Sequence, residues 1–271
     1  VINKKMTLSK PTLIDIAINL TDSAFSHDYD QVLQRAEDAG VDRLIITGST
    51  LEESKKAIQL CRQHPHRLFS TAGVHPHYSR DFPVDGLDQL RLLCQYDCVK
   101  AVGETGLDFN RDFSPRPVQI SAFERQLELA CTLGYPVLMH ERDAQQTFYE
   151  ILRSYRDQLS HAVLHCFTGD RKQLFQLLDL DIHIGITGWI CDERRCAHLL
   201  PLLKEIPLDR LMLETDAPYL LPRSLKPKPK SRRNESCYLP HICEVAAAQM
   251  DISSLDLARS SSETAKTFFN L

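Results

Sequence analysis

VKAVGETGLD, residues 99–108, is a largely apolar run that carries a carboxylate at its middle, Glu104, and another at its end, Asp108, with glycines at 103 and 106. Near-continuous apolar character is the mark of a strand covered on both faces, as in a parallel sheet. Seven further runs have the same character: LIDIAINL (13–20), RLIITGS (43–49), LFSTAGV (68–74), PVLMHER (136–142), HAVLHCF (161–167), IHIGITGW (182–189) and LMLETDAP (211–218). Their starts lie 21 to 37 residues apart, the length of a strand, a loop and a helix. Helix signals fill the gaps. Thr50 and Glu53 have the spacing of a capping box, and Gly40 and Gly134 stand where helices stop. From Gln119 to Leu133, residues Ile120, Phe123, Leu127 and Ala130 recur on one helical face.

Eight such alternations without a composition break predict an α/β fold, a (β/α)8 TIM barrel in a single domain of residues 13–271. Residues 1–12 are expected to form a flexible N-terminal extension. A doubly wound open sheet is the competing architecture, but the phosphate turns that usually accompany it, GxGxxG and GxxxxGK[ST], are absent.

The 271 residues are 43% hydrophobic and 25% charged, which excludes a disordered or collagen-like chain. Net charge is −4, against a general nucleic-acid coat. Arg223, Lys226, Lys228, Lys230, Arg232 and Arg233 fall in an acid-free stretch, leaving 26 basic against 36 acidic residues elsewhere. A concentrated basic loop on an acidic protein suits a local anionic ligand. No run approaches the roughly 18 apolar residues of a membrane span. VINKKMTLSKPTL lacks the apolar core of a secretory signal. Nine cysteines, odd in number and without CxxC spacing, fit a reducing compartment, so a cytoplasmic location is expected. A monomer without an obligate protein partner is expected too.

In a barrel the C-terminal ends of the strands carry the active site. That rim would hold Asp15, Asn19, His75, His77, Glu104, His140, His165 and Asp216. Taken singly, each histidine reads as a loop or core residue. A buried acid is costly unless paired or metal-bound, so Glu104 reads as functional. Glu214 and Asp216 lie two apart and would share one side of a strand; one could pair with an arginine such as Arg142. Carboxylates and imidazoles on this rim make a plausible divalent-metal site, able to bring the pKa of bound water from about 15.7 to near 7. No GxSxG elbow is present, so metal-assisted hydrolysis is preferred to acyl transfer. Cys166 and Cys191 read as packed thiols.

GVHPH (73–77), GETGLDF (103–109), PVLMHERDA (136–144), VLHCFTG (163–169), IGITGW (184–189), ETDAPYLLPR (214–223) and PKPKSRRNE (227–235) together resemble the TatD family of metal-dependent deoxyribonucleases, within the amidohydrolase-like barrels. The resemblance covers nearly the whole chain in family order. It implies a Mg²⁺-dependent 3′-to-5′ exonuclease on single-stranded DNA and RNA, in DNA repair or degradation. It also implies Glu104, His140 and His165 as metal ligands, Asp216 as a further ligand or the base, and His75 facing the scissile phosphate. Many relatives open with D-x-H-x-H, where this chain has Ala17 and Asn19, as TatD-type members do. One tight metal is therefore expected, with a second arriving with substrate. Two imidazoles suit Zn²⁺ or Mn²⁺ at least as well as Mg²⁺.

His77, Arg232 and Arg233 are expected to hold substrate, the arginines gripping phosphate in bidentate fashion. Phe109, Phe113 and Trp189 are candidates to stack a base, or to pack. Two other functions remain open on sequence: a metal-dependent hydrolase of a small ester, lactone or amide, and a non-catalytic nucleic-acid-binding barrel.

Overall fold

The computed structural model describes residues 12–271. The expected extension therefore lies, up to residue 11, outside the described residues. Eight parallel strands form one sheet in the order of the chain: β1 (Leu13–Ile18), β2 (Val41–Ile46), β3 (Leu68–Ala72), β4 (Val99–Asp108), β5 (Val137–Arg142), β6 (Ala162–Leu164), β7 (His183–Ile186) and β8 (Leu211–Leu213). Between β8 and β1 the sheet closes through one isolated bridge, Ile18 to Ala217. The protein is a (β/α)8 barrel, and the open-sheet alternative is discarded.

The helices are α1 (Tyr29–Asp38), α2 (Leu51–Gln63), α3 (Gly86–Leu93), α4 (Arg116–Leu133), α5 (Gln145–Tyr155), α6 (Arg171–Asp179), α7 (Leu239–Gln249) and α8 (Ser254–Phe269). Thr50 caps α2 by accepting from the Glu53 amide at 3.1 Å. Gly40 and Gly134 take the positive φ expected of helix stops. The strict alternation fails at one place: β7 and β8 are joined by short 3-10 turns and no α-helix. Pro201 and Pro207 interrupt that stretch, and the Asp192 carboxylate turns the chain by accepting from Arg194 and Arg195. Local bonds of that kind compete with a helix.

Two apolar layers follow. The larger packs the outer strand faces against the helices. The smaller gathers Ile14, Ile16, Ile45, Ala101, Leu138, Val163 and Met212 inside the barrel, with Phe268 and Phe269 of α8 at its foot. The mouth above this layer is left to polar residues.

Candidate metal centre and nucleic-acid cleft

β4 and β5 set the centre. Gly103 and Gly106, on either side of Glu104, adopt φ of +132° and +143°, and a Cβ on either would run into the carbonyl of Leu138 or His140. Glycine thus lets β4 press onto β5, with Gly106 opposite His140 and Asp108 opposite Arg142.

Glu104 is 5% exposed, and one of its oxygens, Oε1, is ringed by three imidazoles. His165 Nε2 lies at 2.7 Å, His140 Nδ1 at 3.3 Å and His75 Nε2 at 3.4 Å. His75, Glu104 and His140 each offer a ligand atom within 4.8 Å of the others, a possible metal triad.

The outer nitrogen of each ring decides what the inner one can do. His140 Nε2 faces Asp108 Oδ2 at 3.5 Å, and His165 Nδ1 faces Glu214 Oε2 at 3.6 Å. With its proton on the outer nitrogen, directed at the facing carboxylate, each neutral ring would present a lone pair at His140 Nδ1 and His165 Nε2, which lie 3.4 Å apart. His75 is the reverse: its Nδ1 accepts the His77 amide at 3.1 Å, so in the neutral ring the proton sits on Nε2. Asp108 and Glu214 were not singled out for these roles in the sequence. The signal for Asp108 was available, because it stands four residues after Glu104 and shares its strand face.

Burial works against charge at Glu104, yet the neighbouring His165 and His75 and hydrogen bonds from His140 and His165 hold its carboxyl well below the usual range. Without a cation in the centre, Glu104 and Glu214 hold His165 well above the usual imidazole value despite burial, so a proton occupies the place a metal would take by displacing it. Burial drives His75 down to about 3, so it is neutral. Two ring nitrogens and a carboxylate oxygen converging at these distances call for a cation between them. The donor set fits a divalent metal.

Asp216 follows β8 in a left-handed conformation, with φ +54°. Burial, with Glu104 and Glu214 adding to it, raises its carboxyl to about 7. Asn19 donates to its Oδ1 at 3.0 Å and accepts from Thr47 at 2.7 Å. Asp216 shares a cleft of about 490 Å³ with Glu104, His75, His77, His140 and His165.

Other expected rim residues lie elsewhere. Asp15 is fully buried and accepts from the Thr215 amide and from the hydroxyls of Thr215 and Ser236, so it ties β1 to the chain after β8. The proposed Arg142–Glu214 pair does not form: Glu214 accepts from the Cys166 amide, while Arg142 lies 5.2 Å from the Trp189 ring centre. Arg233 is held by Asp28 and Glu235, each at 2.7 Å, and donates to the Ala24 carbonyl at 2.6 Å. Neither it nor Arg232 lines the cleft. The buried neighbour Asn234, fixed to the Pro218 and Thr215 backbone, helps hold Arg233 at this position away from the mouth. His77 is in the cleft, its Nε2 at 2.6 Å from Asp108 Oδ2. All nine cysteines are unpaired. Among the described residues, no helix is long and apolar enough to cross a membrane.

A (β/α)8 barrel with an imidazole–carboxylate centre at its C-terminal mouth defines a class, the metal-dependent barrel hydrolases. Within that class the family is specific. The profile of the "TatD related DNase" family matches residues 14–270, and the chain belongs to that family. The 3′-5′ ssDNA/RNA exonuclease TatD of Erwinia tasmaniensis is 48% identical over 259 residues, covering 96% of this chain and all of that protein. Its counterpart in Edwardsiella piscicida is 52% identical over 235 residues, covering 87% of this chain and 90% of its own. Among solved structures, a TatD-family hydrolase from Entamoeba histolytica superposes with a TM-score of 0.86 at 30% identity, covering 95% of this chain and 98% of that one.

Proposed function

We propose that this protein is a metal-dependent 3′-to-5′ exonuclease that hydrolyses phosphodiester bonds of single-stranded DNA and RNA. One observation carries the chemistry: His140 Nδ1 and His165 Nε2 converge with Glu104 Oε1 in a buried centre at the floor of an open cleft. The single-stranded substrate and the polarity rest on the relatives' names.

Glu104, His140 and His165 would hold one divalent metal. Bound there, it would lower the pKa of a water and offset charge on a phosphoryl oxygen. Mg²⁺ is the expected activator, although the two nitrogens also suit Mn²⁺ or Zn²⁺. Asp108 and Glu214 fix the tautomers of the two ligand imidazoles. His75, neutral with its proton on Nε2, donates toward the reacting phosphate and does not ligate. Asp216 takes the proton of the attacking water: Asn19 occupies one of its oxygens, and the carboxyl shares the cleft with Glu104, His140 and His165. A role in DNA repair or degradation, in the cytoplasm, completes the reading.

The test is a 5′-end-labelled single-stranded oligonucleotide incubated with protein and Mg²⁺, alongside EDTA and Glu104→Ala controls. A ladder shortening from the 3′ end, absent from both controls, is the expected outcome. Wild-type activity in Glu104→Ala would overturn the metal assignment, and intact substrate across several divalent metals would overturn the nuclease.

A further inference from the structure

The cleft that would receive a polyanion is acidic. Asp22, Glu53, Glu104, Asp108, Glu141 and Asp216 line it, against two arginines, Arg111 and Arg142. None of the six cations of the 223–233 stretch lines that cleft, and two are already paired: Arg233 with Asp28 and Glu235, Arg223 with Asp192 and Glu193. A phosphate chain therefore needs another grip.

Arg142 has the right construction. It ends β5 two residues after His140, so both side chains leave the same face of the strand. It reaches the cleft, and among the described residues its guanidinium has no carboxylate within ion-pair distance and donates no hydrogen bond. What holds it is Trp189, whose ring centre lies 5.2 Å from the guanidinium carbon. A guanidinium stacked on an aromatic face keeps its plane fixed and its N–H edge open, which is the geometry for bidentate phosphate contact. Trp189 is itself braced, with Arg195 at 4.3 Å from the ring centre and Arg195 tied to the buried Asp192. Two guanidinium groups thus already lie against that ring. The exposed aromatics on the cleft wall are Tyr78, Phe113 and Tyr219.

We infer that Arg142, held against the Trp189 ring, binds a backbone phosphate flanking the scissile one, and that Trp189 is a positioning residue acting through it. The inference deepens the nuclease reading and rests on it for the identity of the substrate. It places the specificity for a chain of phosphates, as opposed to a single phosphodiester, at the end of β5. The loop after β8 does not carry it.

The experiment compares wild type, Arg142→Met, Trp189→Phe and Trp189→Leu in two assays. The first is binding of labelled oligothymidylate with Ca²⁺ across a salt series. The second is the ratio of kcat/KM on the oligonucleotide to that on bis(p-nitrophenyl) phosphate, which has no flanking phosphate. Arg142→Met should reduce the slope of log K against log salt by about 0.7, the contribution of one phosphate contact on a single strand. It should also lower the kcat/KM ratio by about tenfold, through KM more than kcat. Trp189→Leu should follow it while Trp189→Phe, which keeps a ring, recovers most of the ratio. Thermal unfolding checks that each variant is folded. An unchanged slope, or equal losses on both substrates, overturns the inference. If wild type binds oligothymidylate through Arg142 yet cleaves neither substrate, the nuclease reading fails and the inference about Arg142 stands.

Discussion

Glu214 shows how much the centre depends on residues one step removed from it. It is fully buried, faces His165 Nδ1 and also accepts the Cys166 amide, so it sets both the tautomer and the orientation of that ring. Glu214→Gln keeps the volume and an acceptor for the amide but removes the charge that polarises His165. A loss of about 10–100-fold in metal affinity is expected, read as the Mg²⁺ or Mn²⁺ concentration giving half-maximal activity, with little change in the folded spectrum. A variant activated at wild-type metal concentrations would separate Glu214 from the centre. At this scale the sequence was informative about which residues approach one another and silent about how. Glu104, His140 and His165 each end an apolar run, so their convergence follows from the barrel alone. Which nitrogen of each imidazole is free depends on Asp108, Glu214 and the His77 amide, contacts between separate strands and loops that no local pattern encodes.

Elements explain the two places where the sequence was least legible. In α4 the apolar face was read correctly at Phe123, Leu127 and Ala130, all buried. The same helix also buries Gln119 and Gln126, which no apolar pattern marks. Gln126 bonds both backbone groups of Val74 and the Thr105 hydroxyl, and Gln119 bonds both backbone groups of Asp108, so α4 fixes the strand ends that present the site. The basic segment after β8 is the second case. Charge counting cannot tell a cation facing solvent from one folded back onto the start of α1, where Asp28 waits with Glu235 beside it. The Arg233 guanidinium beside Asp28 holds that carboxyl down to about 2. Arg233→Met should therefore cost about 1–3 kcal/mol in thermal or urea unfolding. Arg232→Met should stay within about 0.5 kcal/mol, as surface substitutions do. Equal stabilities for the two variants would contradict an anchoring role for Arg233.

The molecule as a whole has opposite requirements at its two ends: a charged mouth and a dry foot. At the foot His183, the first residue of β7, is buried with Phe268 at 5.0 Å, and burial, helped by Arg210, pushes its imidazole down to about 4. In the unfolded chain the same group titrates near 6.5. Its contribution is thus fully present above pH 6.5 and is lost as pH falls toward 4, by at most about 3 kcal/mol. Comparison of His183→Phe with wild type should show a shallower fall in Tm between those two pH values, and parallel curves would remove His183 as a cause of acid lability.

The seam of the barrel has one more consequence. β1 and β8 meet through a single bridge and the Asp15 bonds, and both strands rest on α8, where Ser262 donates to the Thr12 carbonyl at 2.8 Å and Ser261 accepts the Leu213 amide at 3.0 Å. The first stave of the barrel and the last are thus clasped by a helix that begins only at Ser254. During synthesis, β1 to β7 can pair as they emerge, but they form an open sheet with an apolar edge on each side. A growing chain commonly folds from its N-terminus, at about 5–20 residues per second. Here the cylinder cannot shut until α8 has cleared the ribosome, so for most of its synthesis the nascent protein carries two unpaired strand edges that invite chaperone binding or mispairing.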